Sequence, residues 1–181
     1  QMASVFATIA NSGQQCKPQS IESVTDRDEN VLKEFAADCK EVISPDLANK
    51  TAALLTASAG QYYTSTRLGD GRPFAAKSGT TDGHANTWLT GFTPSLATSV
   101  WVGHGDNSSQ EVSGVVINGV YHSEIFGETY VGQNIWAPYM TQALAGTPVE
   151  AVSNANIGAT TPQRGATPTP TPSASPTSND H

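Results

Sequence analysis

Three neighbouring β-forming segments constrain the fold of this chain more than any other feature. Residues 74–80, 86–92 and 97–103 are rich in apolar and small residues and are joined by short polar connections. Such connections join antiparallel neighbours, because parallel strands need a crossover of about a dozen residues or more. We therefore expect a three-stranded antiparallel meander packed by helices, in an α+β fold.

Helical and hairpin patterns surround the expected sheet. Apolar residues recur at helical spacing over residues 2–11 and from Ile135 to Leu144, which predicts a first helix and a last helix that covers the sheet. Segments 21–25 and 31–35 flank a turn-rich stretch and predict a β-hairpin. Residues 104–130 show little periodicity, so a long irregular segment is expected there.

A further helix is predicted to begin at Ser44. This serine is followed by Pro45 and Asp46, the N-cap, first-position proline and first-turn acid that are typical of a helix start. The helix is expected to reach about Ala59, followed by a polar loop to residue 73. Its core-facing side is expected to carry Leu47, Leu54 and Leu55.

Composition divides the chain near Glu150. Residues 1–149 have the variety of a folded domain, whereas residues 150–181 become a Pro, Thr and Ser segment. Such a segment cannot bury an apolar core. We therefore predict a disordered tail over residues 150–181, acting as a spacer or as an inert extension.

Charge and hydropathy restrict the functional class. A net charge of -7 does not favour nucleic-acid binding, which needs clustered Lys and Arg. No stretch approaches the ~20 apolar residues of a membrane span. An acidic, polar exterior suits an extracytoplasmic setting, in which Cys16 and Cys39 could form a disulfide. Two free thiols are the alternative.

Metal binding is not favoured by the spacing of candidate ligands. The two cysteines lack a C-x-x-C pattern, and the remaining candidates lie in loops without ligand spacing. These candidates are His84, His104, Asp106 and His122. We expect neither a metal nor another cofactor.

The first strand of the meander carries residues suited to acyl-group chemistry. Lys77 presents a cation, Ser78 presents a hydroxyl that can bind a carboxylate, and Gly79 permits close approach to the backbone. The N–H of Thr80 could stabilise an oxyanion without reorganisation. These residue types are common, so the short motif alone specifies little.

The ordered sequence around this motif resembles a known family. Lys77-Ser-Gly-Thr-Thr, then Trp88, Gly91-Phe-Thr-Pro and Val100-Trp-Val-Gly, is similar to the K-[ST]-G segment of penicillin-binding transpeptidases, most of all the bifunctional class A type. Residues 2–13 are similar to the helix before this segment, and residues 135–149 to the closing helix. The resemblance covers roughly the first 149 residues and implies the penicillin-binding transpeptidase and serine β-lactamase-like fold.

The resemblance also implies roles for five residues. Lys77 would hold the proton network around a serine nucleophile and attract the substrate carboxylate, which the Ser78 hydroxyl would also contact. Gly79 would permit close approach, and Thr80 would supply an oxyanion-hole N–H. The side chains of Thr80 and Thr81 could hold the carboxylate of a β-lactam or of a D-Ala-D-Ala stem peptide, paired along this strand as an added strand. Asn86-Thr87 departs from the Asp-Ala frequent in the family, outside the motif.

Two further motifs of this enzyme group are missing from the sequence. No serine stands three residues before any lysine, and no Ser-x-Asn or Ser-Asp-Asn occurs. We therefore expect the chain to be the C-terminal part of a transpeptidase domain, inactive alone, with the nucleophile and a membrane anchor upstream. Its expected place is the extracytoplasmic face of a bacterial membrane or cell wall. A non-catalytic, wall-associated peptide-binding module and a serine β-lactamase fragment are the alternatives.

Three residues near the motif have more ordinary interpretations. Trp88 and Trp101 are expected to serve in core or inter-strand packing rather than as substrate platforms. Arg72 is expected to be a solvated charge, the alternative being that it steers an anionic peptide terminus.

Overall fold

A computed structural model describes residues 1–107, 109–153 and 155 of the chain. Groups of antiparallel strands are separated by helices along the chain, which confirms the predicted α+β class. The elements before the central sheet are α1 (Met2–Ala10), β1 (Gln14–Cys16), β2 (Ser23–Thr25), β3 (Val31–Glu34), β4 (Cys39–Glu41) and α2 (Pro45–Tyr62). The others are β5 (Ala75–Thr80), a 3-10 turn (Asp82–His84), β6 (Asn86–Thr93), β7 (Leu96–Gly103), β8 (Val115–Ile117), β9 (Val120–His122), a π-helix (Gly127–Trp136) and α3 (Ala137–Ala143).

The central sheet is the predicted antiparallel meander, in the order β5-β6-β7. Lys77 lies opposite Thr90, and Gly79 lies opposite Trp88, which in turn lies opposite Trp101. Because side chains alternate along a strand, Lys77 and Gly79 point to one face, and Ser78 and Thr80 to the other. The motif therefore divides between two faces of a strand at the sheet edge.

Each face of the sheet is covered by helices. Trp136 and Met140, both fully buried, pack with Leu89 and Ala76 on one face, so the last helix covers the sheet as predicted. On the opposite face, Phe6 of α1 and Ala52 of α2 pack with Ala75 and Phe92. The Ala75 end of β5 is thereby held between two apolar layers, whereas Thr80 at its other end is exposed.

Helix α2 begins as predicted but buries different residues. The Ser44 Oγ accepts a hydrogen bond from the Leu47 N–H at 3.3 Å, and the helix continues to Tyr62. Leu47 and Leu54 are 54% and 58% exposed, so their predicted core position is wrong. Leu55 does pack against the cluster that contains Phe6 and Phe92. The buried residues of α2 are Ala48, Ala52 and Ala59. Small side chains fill this side because α2 packs closely on β5.

A disulfide closes the base of an exposed hairpin. Strands β2 and β3 form the predicted antiparallel pair, and β1 pairs with β4 below them. Cys16 and Cys39 lie opposite each other in the β1–β4 pair and are covalently joined. The bond therefore ties both ends of the hairpin segment to the rest of the domain.

We expect the mass of the denatured chain to be unchanged by alkylating reagent until a reductant is added. Reduction should also lower the free energy of unfolding by about 3 kcal/mol, because the open loop gains conformational entropy in the unfolded state. Mass spectrometry and urea unfolding measure the two effects. Two freely alkylated thiols in oxidised, secreted material would contradict the prediction.

The segment expected to be irregular, residues 104–130, contains regular structure. Strands β8 and β9 form a hairpin around Asn118-Gly119, both with positive φ. Asn-Gly between β-branched residues is a strong hairpin signal, so this pair was predictable. The closing helix also starts earlier than expected, at Gly127 in π-helical form.

Contacts beyond residue 149 tie the chain back to its first helices. Val152 packs against the cluster of Phe6 and Phe92, and the Ser153 hydroxyl donates to the Asn49 carbonyl at 2.9 Å. The predicted disorder of residues 150–181 otherwise falls on residues outside the described part of the chain. Among the described residues, no helix is both long and apolar enough to cross a bilayer.

We expect truncation after residue 155 to leave the melting temperature unchanged. Truncation after residue 149 should lower it by a few degrees, because the Val152 packing and the Ser153 hydrogen bond are lost. Differential scanning calorimetry of both truncated chains measures this difference. Equal melting temperatures for the two would show that these contacts add nothing.

The Arg72 side chain is buried and hydrogen-bonded within the fold. It is therefore neither the solvated charge nor the steering residue for a peptide terminus that the sequence suggested. Its side chain is 4% exposed and donates to the Asp70 carboxylate, the Leu144 carbonyl and the Thr147 hydroxyl and carbonyl. It joins the segment before β5 to the turn after α3, where the Leu144 carbonyl also accepts from the Thr147 N–H and hydroxyl. The hydrogen bonds from Arg72 hold the pKa of Asp70 below its usual value.

We expect Arg72→Met to lower the melting temperature by several degrees at neutral pH, because the Asp70 Oδ2 and the Thr147 carbonyl then lose the donors that Arg72 supplies. Arg67→Met is the control, since Arg67 is exposed and, among the described residues, bonds only the neighbouring Thr66 carbonyl. The lowered pKa of Asp70 means that the ion pair stabilises the fold above the ordinary carboxyl pKa and is lost as pH falls through the folded-state value. The difference between the variants should therefore shrink in strong acid, as thermal melts across pH would show.

Candidate acyl-ligand site at the open edge of the sheet

Strand β5 is an edge strand whose backbone alternates between its partner and open space. The Thr81 N–H donates to the Asn86 carbonyl, toward β6, whereas the Ser78 N–H donates away from β6 to the Tyr63 hydroxyl at 2.7 Å. By alternation, the Thr80 N–H also points away from β6. The amide proposed for an oxyanion therefore lies on the open edge, where a ligand can reach it.

Lys77 stands beside this edge as an exposed cation. Its Nζ donates to the Ser78 carbonyl at 2.9 Å, which leaves two of its three N–H donors for other acceptors. Among the residues that the structure describes, no Asp or Glu lies within ion-pair distance of Lys77. The cation is therefore free to bind an anionic ligand.

A pocket of about 300 Å³ adjoins Lys77 and Ser78. Its other lining residues are Ser58, Tyr62, Tyr63 and Glu128. Two hydroxyl-bearing tyrosines and a lysine give it several donors. Its size suits part of a peptide or a small bicyclic acid rather than a whole polymer.

The π-helix positions Ser78 by direct packing. A Cβ built on Gly127 would lie 2.0 Å from the Trp88 carbonyl oxygen and 2.8 Å from the Ser78 Cβ, so only glycine fits at this helix start. Above Gly79, by contrast, the nearest atom to such a Cβ is the Trp88 Cβ at 3.8 Å. The space over Gly79 is open, as required for close approach of a ligand.

Thr80 and Thr81 lie at the exposed end of β5 and have different surroundings. The Thr81 Oγ1 accepts a hydrogen bond from the Asn86 N–H at 3.0 Å, which holds the turn into β6. Its hydroxyl hydrogen remains available as a donor. The structure thus brings Lys77, Ser78, Gly79 and Thr80 to one edge and gives Thr81 an additional structural contact.

Trp88 and Trp101 form a cross-strand pair on the Lys77 face of the sheet. Their ring centroids are 6.3 Å apart, and the side chains are 37% and 39% exposed. The Trp101 Nε1 donates to the Asn86 Oδ1 at 2.9 Å. The prediction of inter-strand packing is confirmed, whereas a place in the core is not.

Two site residues were missed from the sequence. Tyr63 stands 15 positions before Ser78 and Gly127 stands in the segment predicted to be irregular, so no local motif links either to β5. Within the described ranges, no group of three His, Cys, Asp or Glu residues could hold a metal ion.

The family model of the penicillin-binding protein transpeptidase domain matches residues 1–121. The chain belongs to this family. Its relatives bear the names of class A penicillin-binding proteins, which confirms the class A type suggested by the motifs.

Sequence relatives are much longer than this chain. It is 35% identical to penicillin-binding protein 1A of Mycolicibacterium smegmatis, over 93% of the chain and 22% of that protein. It is 34% identical to penicillin-binding protein 2D of Bacillus subtilis, over 82% of the chain and 20% of that protein. The chain thus spans about a fifth of each relative.

Solved transpeptidase structures share its fold. Penicillin-binding protein PonA1 of Mycobacterium tuberculosis superposes with a TM-score of 0.67 at 30% identity, over 88% of this chain and 43% of that one. Penicillin-binding protein A of the same organism, solved as an imipenem acyl-enzyme complex, gives 0.50 at 25% identity, over 57% of this chain and 24% of that one. The predicted transpeptidase fold is confirmed.

Proposed function

We propose that this chain supplies the β5 edge of the acyl-transfer site of a peptidoglycan D,D-transpeptidase. The observation that carries the proposal is the exposed Lys77 cation, which has no ion-pair partner among the described residues, beside an outward-facing Thr80 amide on an open strand edge. A cation and a rigid amide at one edge match a ligand that has a carboxylate and a reactive carbonyl. We place the serine nucleophile in the remainder of the domain, upstream of this chain, because Ser-x-x-Lys is absent here.

The proposed ligand is a stem peptide ending in D-Ala-D-Ala, bound as an added strand. Its carboxylate would accept from Lys77 Nζ and the Ser78 hydroxyl, which places the scissile carbonyl oxygen near the Thr80 N–H. When the serine oxygen attacks the carbonyl carbon, the carbonyl oxygen gains negative charge. The fixed Thr80 N–H stabilises this charge. The terminal D-Ala leaves as an amine after taking a proton, which produces an acyl-enzyme.

In the second half of the reaction, the serine oxygen becomes the leaving group and an amine becomes the nucleophile. An amine of a neighbouring stem peptide attacks the acyl carbonyl, the serine oxygen leaves and recovers its proton, and a cross-link forms. A β-lactam would acylate the same serine by ring opening, with no fragment leaving. The imipenem acyl-enzyme of penicillin-binding protein A supports this last step. Such substrates place the protein on the extracytoplasmic side of the membrane.

Covalent labelling by a fluorescent penicillin tests the proposal. The purified 181-residue chain should give no labelled band after denaturation, because it lacks an activated serine. A longer protein that supplies the remainder of the domain should be labelled stoichiometrically. An adduct on the 181-residue chain itself would contradict the placement of the nucleophile.

The missing nucleophile motif favours a second candidate, a wall-associated module that binds peptide without acylation. In that case the longer protein would also remain unlabelled, while isothermal titration would still detect reversible binding of diacetyl-L-Lys-D-Ala-D-Ala. Labelling of the longer protein excludes this candidate.

A further inference from the structure

Tyr63, at the end of α2, reaches the open edge of β5 beside the candidate site. The side chain is 2% exposed and belongs to the larger apolar cluster with Ala59 and Phe74. Its backbone is held on both sides, since its N–H donates to the Ala59 carbonyl and its carbonyl accepts from the Thr66 N–H, each at 2.9 Å. The hydroxyl is therefore fixed at the Ser78 N–H, 2.7 Å away.

The hydrogen bond between Ser78 and Tyr63 limits which backbone groups of β5 could pair with an added ligand strand. A ligand strand uses the outward N–H and C=O groups of alternate residues on the edge. At Ser78 the only N–H donates to the Tyr63 hydroxyl, whereas the carbonyl accepts from Lys77 Nζ at 2.9 Å and keeps a second lone pair. The Ser78 N–H is therefore unavailable to a ligand strand, and the outward N–H that such a strand can use lies at the Thr80 end of β5.

The Tyr63 hydroxyl can also donate one hydrogen bond. A phenol accepts at its oxygen and donates its single hydrogen. Because the oxygen already accepts from Ser78, the hydrogen needs a different partner, and no described residue of the chain accepts it. Tyr63 and Ser78 both line the 300 Å³ pocket together with Lys77 and Glu128, so a ligand oxygen in that pocket can accept the hydrogen.

We propose that Tyr63 is a specificity-determining residue of the acyl-ligand site. It ends the backbone ladder at Ser78 and, in place of the Ser78 amide, donates its own O–H to an oxygen of an extended, carboxylate-bearing acyl ligand. This rests on the proposed function, because it requires such a ligand along β5. It further predicts that Tyr63 acts on ligand binding rather than on the acylation step, since the Thr80 amide remains in place without the hydroxyl.

Tyr63→Phe tests the proposal, because it removes the hydroxyl and keeps the packed ring. The protein to use is the longer one that supplies the remainder of the domain, with a fluorescent penicillin as the probe. Stopped-flow measurement separates the dissociation constant of the reversible complex from the acylation rate constant. We expect Tyr63→Phe to raise the dissociation constant about five- to tenfold, as for loss of one hydrogen bond to a charged or polar acceptor, with the acylation rate constant unchanged.

Tyr139→Phe is the matched control. Tyr139 lies on α3, is 53% exposed and does not line this pocket, so both constants should equal those of the unmodified protein. Hydrogen exchange at the peptide that contains Ser78 reports the Tyr63 contact independently and should be faster in Tyr63→Phe.

The outcomes separate this inference from the proposed function. Faster exchange at Ser78 with an unchanged dissociation constant would give Tyr63 a structural role alone and overturn the inference. Unchanged exchange would show that the hydroxyl does not bond Ser78, with the same consequence. If the unmodified longer protein is not labelled by penicillin, the proposed function itself fails, before any variant is compared.

Discussion

Replacing Lys77 with alanine is expected to slow penicillin acylation of the longer, domain-complete protein by about 100-fold or more. The variant removes the cation that the proposed site uses to hold the ligand carboxylate and to organise protons around the serine. Loss of a single preorganised electrostatic group in comparable sites costs about 100- to 1000-fold in rate. The second-order rate constant of labelling is the quantity to measure.

The fold should tolerate this change, because Lys77 is exposed and has one hydrogen bond, to the carbonyl of its neighbour. Lys50→Ala is the matched control, since Lys50 is partly exposed on α2 and, within the described part of the chain, pairs only with Asp46 one turn away. Its labelling rate should equal that of the unmodified protein. A Lys77→Ala protein that labels at the normal rate would remove Lys77 from the site.

Gly127→Ala is expected to lower the free energy of unfolding by about 3 kcal/mol. The added methyl group would meet the Trp88 carbonyl oxygen at 2.0 Å, and a backbone atom of a paired strand cannot rotate away. Overpacking of this kind costs about 1 to 3 kcal/mol, and a backbone contact belongs at the upper end. Because Gly127 also packs on Ser78, the shift of the π-helix should disturb β5 and reduce labelling as well.

Gly60→Ala distinguishes this steric effect from the general effect of adding a methyl group. Gly60 lies inside α2 with no atom within 4 Å of the added Cβ, so alanine should stabilise the helix by about 0.5 to 1 kcal/mol. Urea unfolding of the two variants should therefore shift in opposite directions. Equal stability of Gly127→Ala and the unmodified protein would show that the helix start can move without cost.

Features set by near neighbours in the chain were predictable. The meander follows from short connections between β-forming segments, and the start of α2 follows from Ser44, whose hydroxyl caps an N–H three residues later. The hairpin at β2 and β3 likewise has a local turn signal. The residue order of the motif also places Lys77, Ser78, Gly79 and Thr80 on one strand, before any fold is known.

Features set by distant packing were not predictable. Leu47 and Leu54 have the spacing of a buried face, yet α2 approaches β5 so closely that alanines fill the contact instead. Arg72 looked like a surface charge because its acceptors on Leu144 and Thr147 lie more than 70 residues away. A hydrophobic or charged pattern identifies residue types, but the distance between elements decides which of them are buried.

The candidate site likewise combines features set by adjacent residues with features set by distant packing. The sequence by itself determined the identity of the motif and its place on a strand, because both depend on adjacent residues. Only the tertiary structure decided that β5 lies at a sheet edge, that Tyr63 bonds the Ser78 N–H, and that Gly127 packs on the Ser78 side chain. Those contacts join residues 15 and 49 positions from Ser78. Their physical basis is the packing of α2 and the π-helix against one strand, which no local pattern encodes.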